Sequence, residues 1–201
     1  MKKNYQISLI KFVTIFLTTV FLAACSQETI KFNNVDITGS KAFGKDFSLI
    51  DHHGQKKQLA DFNGRLVVMF FGYTQCPDVC PTTMTEMQGV MDLLGKDADR
   101  VQVVFVTVDP DRDTQELLSQ YVPSFDKRFL GLRPENSAAL EKVTKDFKVF
   151  YSKVSGKTPS TYTIDHTAGS YVFDTKGQLR LFLKHQQGPK PIAEDLAKLL
   201  K

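Results

Sequence analysis

Two continuous apolar runs mark the centre of the predicted fold. Residues 66–71 are all apolar, and residues 101–108 are mostly apolar with a high content of valine. Runs of this length and composition are typical of strands that are buried on both faces of a sheet. Between them, residues 81–94 repeat apolar side chains at helical spacing. The order strand, helix, strand predicts a parallel βαβ unit.

Turn sequences that contain glycine predict two hairpins on either side of this unit. One is formed by residues 47–51 and 56–59, and the other by residues 170–173 and 179–183. In each pair, short runs of strand length flank a polar turn. The first pair precedes the βαβ unit, so it is an N-terminal addition.

Helix-start signals predict three more helices, which begin near Asp113, Asn136 and Pro191. In the first of these, Asp113 and Glu116 have the spacing of a capping box. A βαβ unit followed by a helix, a hairpin and a terminal helix is the order of the thioredoxin-like fold. We therefore predict an α/β protein with a central mixed sheet flanked by helices, an extra N-terminal hairpin and an insertion around residues 110–131.

The first 24 residues have the features of an export signal. Lys2 and Lys3 precede an uncharged, mostly apolar run at residues 12–24. That run has 13 residues, fewer than the roughly 20 that a permanent membrane-spanning helix needs. It ends in Leu-Ala-Ala followed by Cys25, and small residues before a cysteine resemble the bacterial lipobox. The pattern predicts a cleaved lipoprotein signal peptide and a lipid on Cys25.

These features divide the chain into a signal peptide at residues 1–24, a lipidated cysteine and polar tether at residues 25–34, and one folded domain at residues 35–201. We expect the domain to lie on the extracytoplasmic, periplasmic side of a bacterial membrane. The formal net charge of +4 falls to +1 when Lys2, Lys3 and Lys11 leave with the signal peptide. So small a charge excludes a nucleic-acid-binding function of the ordinary electrostatic kind.

The candidate chemistry is concentrated in Cys76 and Cys80, which are separated by Pro-Asp-Val and followed by Pro81. The pair follows the first central strand and precedes the helix, so it lies at the carboxyl edge of the sheet, where open α/β folds place their sites. Pro81 favours the first helical turn and places Cys80 at about the N-cap. There the helix dipole stabilises thiolates.

The spacing of the two cysteines distinguishes two kinds of chemistry. A CxxC pair at a helix start is typical of dithiol oxidoreductases, whereas CxxxC opens the loop enough for both sulfurs to face one ion. The pair remains able to form a disulfide. Two thiolates leave a soft metal ion under-coordinated, so a third ligand is expected, either an imidazole or another sulfur.

His166 is the best candidate for that third ligand, with a hydrogen-bonded core histidine as the alternative. It precedes the hairpin strand that lies next to the central one in the predicted topology. His52, His53 and His185 are in or beside turns, and we expect them to be exposed. Two carboxylates are candidates for contacts around the site: Asp78, between the cysteines, and Asp165, which could orient the His166 ring.

Residues 70–84 resemble the signature of the Sco/SenC family of copper-binding, thioredoxin-like assembly proteins. The resemblance extends to other short segments in the family's order, at residues 36–39, 61–64, 106–114 and 165–167. It implies that Cys76, Cys80 and His166 bind one copper ion, Cu(I) or Cu(II). It also implies delivery of copper or reducing equivalents to a partner, which is a cytochrome c oxidase subunit or another copper or thiol-redox protein.

Three functions are compatible with these residues. The first and favoured one is a metallochaperone rather than an enzyme. The second is a thiol-disulfide oxidoreductase or redox protectant, which the CxxxC spacing disfavours. The third is a binding domain with a structural disulfide between Cys76 and Cys80, but so small a loop would constrain the unfolded chain very little.

Overall fold

A mixed β-sheet forms the centre of the molecule. The computed structural model describes residues 30–44, 46–158 and 161–201. Within that part of the chain the strands are β1 (Val35–Asp36), β2 (Ser48–Asp51), β3 (Lys56–Gln58), β4 (Leu66–Gly72), β5 (Val101–Thr107), β6 (Leu130–Arg133), β7 (Tyr151–Ser155), β8 (Tyr162–His166), β9 (Gly169–Phe173) and β10 (Leu179–Lys184). The α-helices are α1 (Val79–Leu94), α2 (Gln115–Tyr121), α3 (Ser137–Asp146) and α4 (Pro189–Leu199).

Eight of these strands form one sheet in the order β1-β10-β9-β4-β5-β6-β2-β3, whereas β7 and β8 pair in a small sheet of their own. At the centre, β4 and β5 are parallel from Leu66 opposite Val101 to Gly72 opposite Thr107. β6 continues the parallel part, and β9 pairs with the other side of β4 in the antiparallel direction. The predicted βαβ unit is confirmed, with α1 as its crossover helix.

Alternation along β4 divides the core into two layers. Leu66, Val68 and Phe70 face the layer that includes apolar side chains of α1 and α4. Val67, Met69 and Phe71 face the opposite layer, which includes apolar side chains of α3. Every residue of β4 and β5 is buried, as the continuous apolar runs predict.

This architecture confirms the predicted thioredoxin-like fold, a central mixed sheet flanked by helices. The N-terminal hairpin is present as β2 and β3, and it joins the sheet through β6. The pattern did not predict β1, β6, β7 or β8. The signal peptide and Cys25 lie outside the described residues. Within the described part of the chain, no helix has the length and apolarity needed to cross a membrane.

Two predictions about single polar residues were wrong. Thr114, not Asp113, is the N-cap of α2 and accepts a hydrogen bond from the Leu117 N–H. His52 is buried rather than exposed, with 6% of its surface accessible. Its Nδ1 accepts a hydrogen bond from the Gly131 N–H at 3.1 Å, so this histidine links the N-terminal hairpin to β6.

Burial makes His52 a source of acid sensitivity. Burial, together with the nearby charge of His53, lowers the pKa of His52 from its ordinary value of 6.5, although Asp51 opposes this shift. Below pH 6.5 the unfolded chain therefore takes up a proton at His52 more readily than the folded protein. The stability contributed by neutral His52 is complete above that pH and is lost as the pH falls below it.

We predict that His52→Asn reduces the loss of unfolding free energy between pH 7.5 and pH 5.5, measured by urea denaturation. The Asn side-chain oxygen stands near the position of Nδ1 and keeps an acceptor for Gly131, but it does not titrate in this range. His53→Asn is the matched control and should keep most of the pH dependence, because burial is the larger cause. An unchanged pH dependence in His52→Asn would contradict the assignment.

Candidate metal centre

The loop that carries the cysteines leaves the sheet at Gly72, the last residue of β4. A Cβ atom at this position would lie 2.6 Å from the Cys80 sulfur and 2.9 Å from the Phe105 ring. Both distances are shorter than real Cβ contacts, so a glycine is required for this close approach. The strand end and the start of α1 are thereby packed directly against each other.

Helix α1 begins about two residues earlier than the sequence predicted. Asp78 is the N-cap, and Cys80 lies inside the first turn rather than at the cap. Pro81 is tolerated there because an N–H in the first turn has no partner within the helix. The Asp78 side chain makes no capping bond. Instead, the Cys76 Sγ accepts a hydrogen bond from the Cys80 N–H at 3.4 Å, so a sulfur takes the place of the usual capping oxygen.

Three potential metal ligands converge at this point. The sulfurs of Cys76 and Cys80 and a ring nitrogen of His166 all lie within 4.8 Å of one another. Both cysteines are free thiols, with Cys80 buried and Cys76 half-buried. His166 Nε2 lies 3.6 Å from the Cys80 sulfur. The structure therefore brings together the three residues that the sequence singled out.

The orientation of His166 is fixed by the backbone. Its Nδ1 lies 3.1 Å from the Thr167 carbonyl oxygen. A carbonyl only accepts, so Nδ1 carries the proton and Nε2 faces the sulfurs. The sequence offered Asp165 for this orienting role, but Asp165 is exposed. The carbonyl of Thr167 takes that role instead.

Asp78 is also exposed, and its carboxylate accepts a hydrogen bond from the Thr82 hydroxyl at 3.4 Å. The backbone of Asp78 contributes to the centre, because it is one of the causes that lower the pKa of Cys76. His185 is half-buried rather than exposed, and its Nδ1 lies 3.1 Å from the Thr83 hydroxyl. It stands outside the group of three converging ligands.

The pKa values of the two cysteines are shifted in opposite directions. The hydrogen bond from the Cys80 thiol, helped by His166 and by the backbone N–H groups of Asp78 and Cys80, lowers the pKa of Cys76 to about 3, although burial opposes the shift. The same bond to Cys76, burial and the charge of the Cys76 thiolate raise the pKa of Cys80 far above its ordinary value. The pair is therefore a thiolate and a thiol that share one proton.

A buried carboxylate that the sequence analysis assigned only to capping holds the cysteine loop. Asp113 is fully buried and accepts hydrogen bonds from the Thr74 N–H at 3.0 Å and the Thr74 hydroxyl at 2.6 Å. It also accepts from the Thr107 hydroxyl at 2.6 Å. Burial raises the pKa of Asp113, and these hydrogen bonds oppose that shift. This carboxylate ties the loop after β4 to the end of β5.

The position of Asp113 after a central strand was the sequence signal that could have identified it as part of the site. The segment at residues 109–114 directly follows β5, just as the cysteine loop directly follows β4. The carboxyl ends of parallel neighbours meet at one edge, so both loops belong to the same site. This charged segment therefore lies at the same carboxyl edge of the sheet as the cysteines.

Comparison with known proteins gives a consistent result. A profile of the SCO1/SenC family matches residues 35–201. A SCO2-like protein from Rickettsia felis is 38% identical over 157 residues, which cover 76% of this chain and 75% of that protein.

Among solved structures, Bradyrhizobium japonicum ScoI with copper bound is 38% identical, with a TM-score of 0.72 over 79% of this chain and 100% of that chain. The apo Sco1 protein from Thermus thermophilus is 35% identical, with a TM-score of 0.74 over 86% of this chain and 99% of that one. The matched segment includes every helix and strand of the described residues, from β1 to the end of α4. This chain therefore belongs to the SCO1/SenC family.

Proposed function

We propose that this protein is an extracytoplasmic copper metallochaperone that assists assembly of a copper centre in cytochrome c oxidase. In this proposal Cys76, Cys80 and His166 hold one Cu(I) or Cu(II) ion and release it to a client by ligand exchange. Oxidation of the two cysteines to a disulfide switches binding off.

The convergence of the three donor atoms within 4.8 Å is the observation that carries the proposal. Metal–sulfur bonds are about 2.3 Å long and metal–imidazole bonds about 2 Å, so two ligand atoms of one ion lie at most about 4.6 Å apart. The three atoms thus need to move by only a few tenths of an ångström to surround one ion. Two sulfurs and a neutral imidazole nitrogen suit a soft ion such as Cu(I).

The family adds the choice of metal and client. A donor set of this kind also suits Zn²⁺, but the related ScoI of Bradyrhizobium japonicum has a structure with copper bound. The Sco family is described as a family of cytochrome c oxidase assembly proteins. Together these support copper as the ion and the oxidase as the client.

We infer that the domain is tethered to a membrane through lipid on Cys25. The support is the sequence alone, an apolar run that ends in small residues directly before this cysteine. The tether changes where the protein meets its client and leaves the metal centre unaltered.

A thiol-disulfide oxidoreductase is the second candidate, and the acidity of Cys76 favours it. A half-buried thiolate with a pKa of about 3 is able to attack a client disulfide. The position of His166 favours the copper function, because thiol exchange alone does not require an imidazole as a third ligand.

We predict that the reduced protein binds about one copper ion and that Cu(II) binding gives sulfur-to-copper charge-transfer absorption. Cys76→Ser and Cys80→Ser should each abolish this band. His166→Ala should shift the band and weaken affinity by more than the roughly 10- to 100-fold typical for loss of a residue that only supports a ligand.

His185→Ala is the matched control, a half-buried histidine outside the three converging ligands, and should bind copper as the unmodified protein does. Copper binding that persists unchanged when both cysteines are replaced would exclude this centre.

Oxidation should abolish binding, because the disulfide has no thiolate to offer. An added two-electron oxidant such as diamide accepts two electrons from the sulfurs, the Cys80 proton is released, and an S–S bond forms. We expect the oxidised protein, with the disulfide confirmed by mass, to lose the stoichiometric copper that the reduced protein retains after dialysis. Equal copper content in the two forms would place the site elsewhere.

A strain that carries His166→Ala separates the two candidate functions. For a copper chaperone this strain should lose cytochrome c oxidase activity and recover part of it with added copper, by mass action. For a reductase it should resemble the unmodified strain, while a Cys76→Ser strain fails and is not rescued by copper. Normal oxidase activity in His166→Ala beside an inactive Cys76→Ser would favour the reductase.

A further inference from the structure

The strand that carries His166 is not part of the main sheet. β7 and β8 pair with each other, from Tyr151 opposite His166 to Ser155 opposite Tyr162, and form a separate two-stranded sheet. The cysteines, in contrast, follow directly on the central strand β4. Two residues join His166 to β9, which pairs with β4, so the distance from His166 to the sulfurs depends on this link and on the contacts between the β7–β8 sheet and the main body.

One of these contacts lies in the middle of β8. The Tyr73 hydroxyl accepts a hydrogen bond from the Ile164 N–H at 3.1 Å, and the Tyr73 ring stands edge-on to the His166 ring at 5.9 Å. Tyr73 is buried and begins the cysteine loop. Tyr73 thus holds the middle of β8, where Ile164 is itself buried.

Arg112 holds the far end of β8. Its Nη1 donates to the Tyr162 carbonyl oxygen at 2.9 Å and to the Gln75 side-chain oxygen at 3.2 Å. Its guanidinium lies over the Tyr162 ring, 3.5 Å from the centroid. One side chain thus touches the start of β8 and the residue directly before Cys76.

A buried carboxylate fixes Arg112 in place. Its Nε forms an ion pair with Asp109, and the other Asp109 oxygen accepts a hydrogen bond from the Tyr162 hydroxyl at 2.8 Å. Asp109 is 1% exposed, so the pair is shielded from water and salt. Asp109, Arg112 and Tyr162 form a closed set in which each member contacts the other two.

The contacts of Arg112 are not explained by a gain in folding stability alone. The Arg112 Nη2 is buried and lacks a hydrogen-bond partner among the described residues, and such a group costs free energy. Lysine could not replace the contacts, because it lacks the planar fork that reaches two acceptors and stacks on a ring. The observed geometry serves to connect two parts of the molecule.

We propose that Arg112 is a positioning residue for the metal centre, which holds His166 at bonding distance from Cys76 and Cys80. This inference rests on the proposed copper function and adds to it. Tyr162 and His166 are four residues apart, about 13 Å along a strand, with the Tyr73–Ile164 contact between them. Loss of the contacts at the Tyr162 end removes a constraint on the direction of β8 and therefore on the position of the imidazole relative to the sulfurs.

The test is a double-mutant cycle on Cu(I) affinity, measured by competition with a chelator on the reduced full-length chain. The four proteins are the unmodified chain, Arg112→Gln, His166→Ala and the double variant. If Arg112 acts through His166, as proposed, rather than through its contact with Gln75 beside Cys76, Arg112→Gln should weaken binding about 10-fold or more when His166 is present. In the His166→Ala background the same substitution should change affinity less than about 2-fold.

Arg180→Gln is the matched control. Arg180 is also partly buried and ion-paired, with Asp174 at 3.1 Å, but it contacts neither the cysteine loop nor β8 through that pair. It should leave Cu(I) affinity unchanged in both backgrounds. Should Arg112→Gln fail to fold, as judged by thermal denaturation, Tyr162→Phe takes its place in the cycle, since it removes only the hydroxyl bond to Asp109.

The outcomes separate the two proposals. An equal loss of affinity from the Arg112 substitution with and without His166 overturns the positioning role and leaves the copper function intact. No loss of affinity from His166→Ala itself overturns the ligand assignment on which the inference rests.

Discussion

The parallel pairing of β4 and β5 is the constraint on which the rest of the structure depends. Two parallel neighbours cannot be joined by a tight turn, so α1 must cross over between them, and both strands must be covered on two faces. The same pairing brings the cysteine loop and the segment at residues 109–114 to one edge of the sheet. Asp113 then joins the two loops through Thr74 and Thr107. The site is therefore a consequence of the central strand pair, and its loops are held by a buried carboxylate.

The ligands of the centre come from two different parts of the fold. The cysteines are attached to the sheet through Gly72 and to α1 through its first turn, where there is little freedom to move. His166 belongs to a small sheet that is joined to the body by Tyr73 and by the group of Asp109, Arg112 and Tyr162. The third candidate ligand therefore comes from a different sheet than the strand that leads to the two sulfurs.

The sequence predicted the features that depend on neighbouring residues along the chain. Continuous apolar runs identified β4 and β5, and the position of Cys76 and Cys80 between a strand and a helix located the site. The sequence did not predict hydrogen bonds between residues that are far apart along the chain. His52 bonds to Gly131, 79 positions away, and Asp113 bonds to Thr74, 39 positions away. It also missed β7, whose residues after Tyr151 are all exposed and show no apolar alternation. That strand exists because it pairs with β8, and pairing of this kind leaves no periodic pattern in the sequence.

The single proton shared by Cys76 and Cys80 has a thermodynamic consequence. Near neutral pH one of the two sulfurs already carries the negative charge that attracts a cation. Cys76 is a thiolate with a pKa of about 3, while Cys80 keeps its proton. An ion bound by both sulfurs must displace that one hydrogen ion, so its apparent affinity rises about tenfold for each unit of pH. Acid therefore weakens the binding of any ion that needs both sulfurs as thiolates.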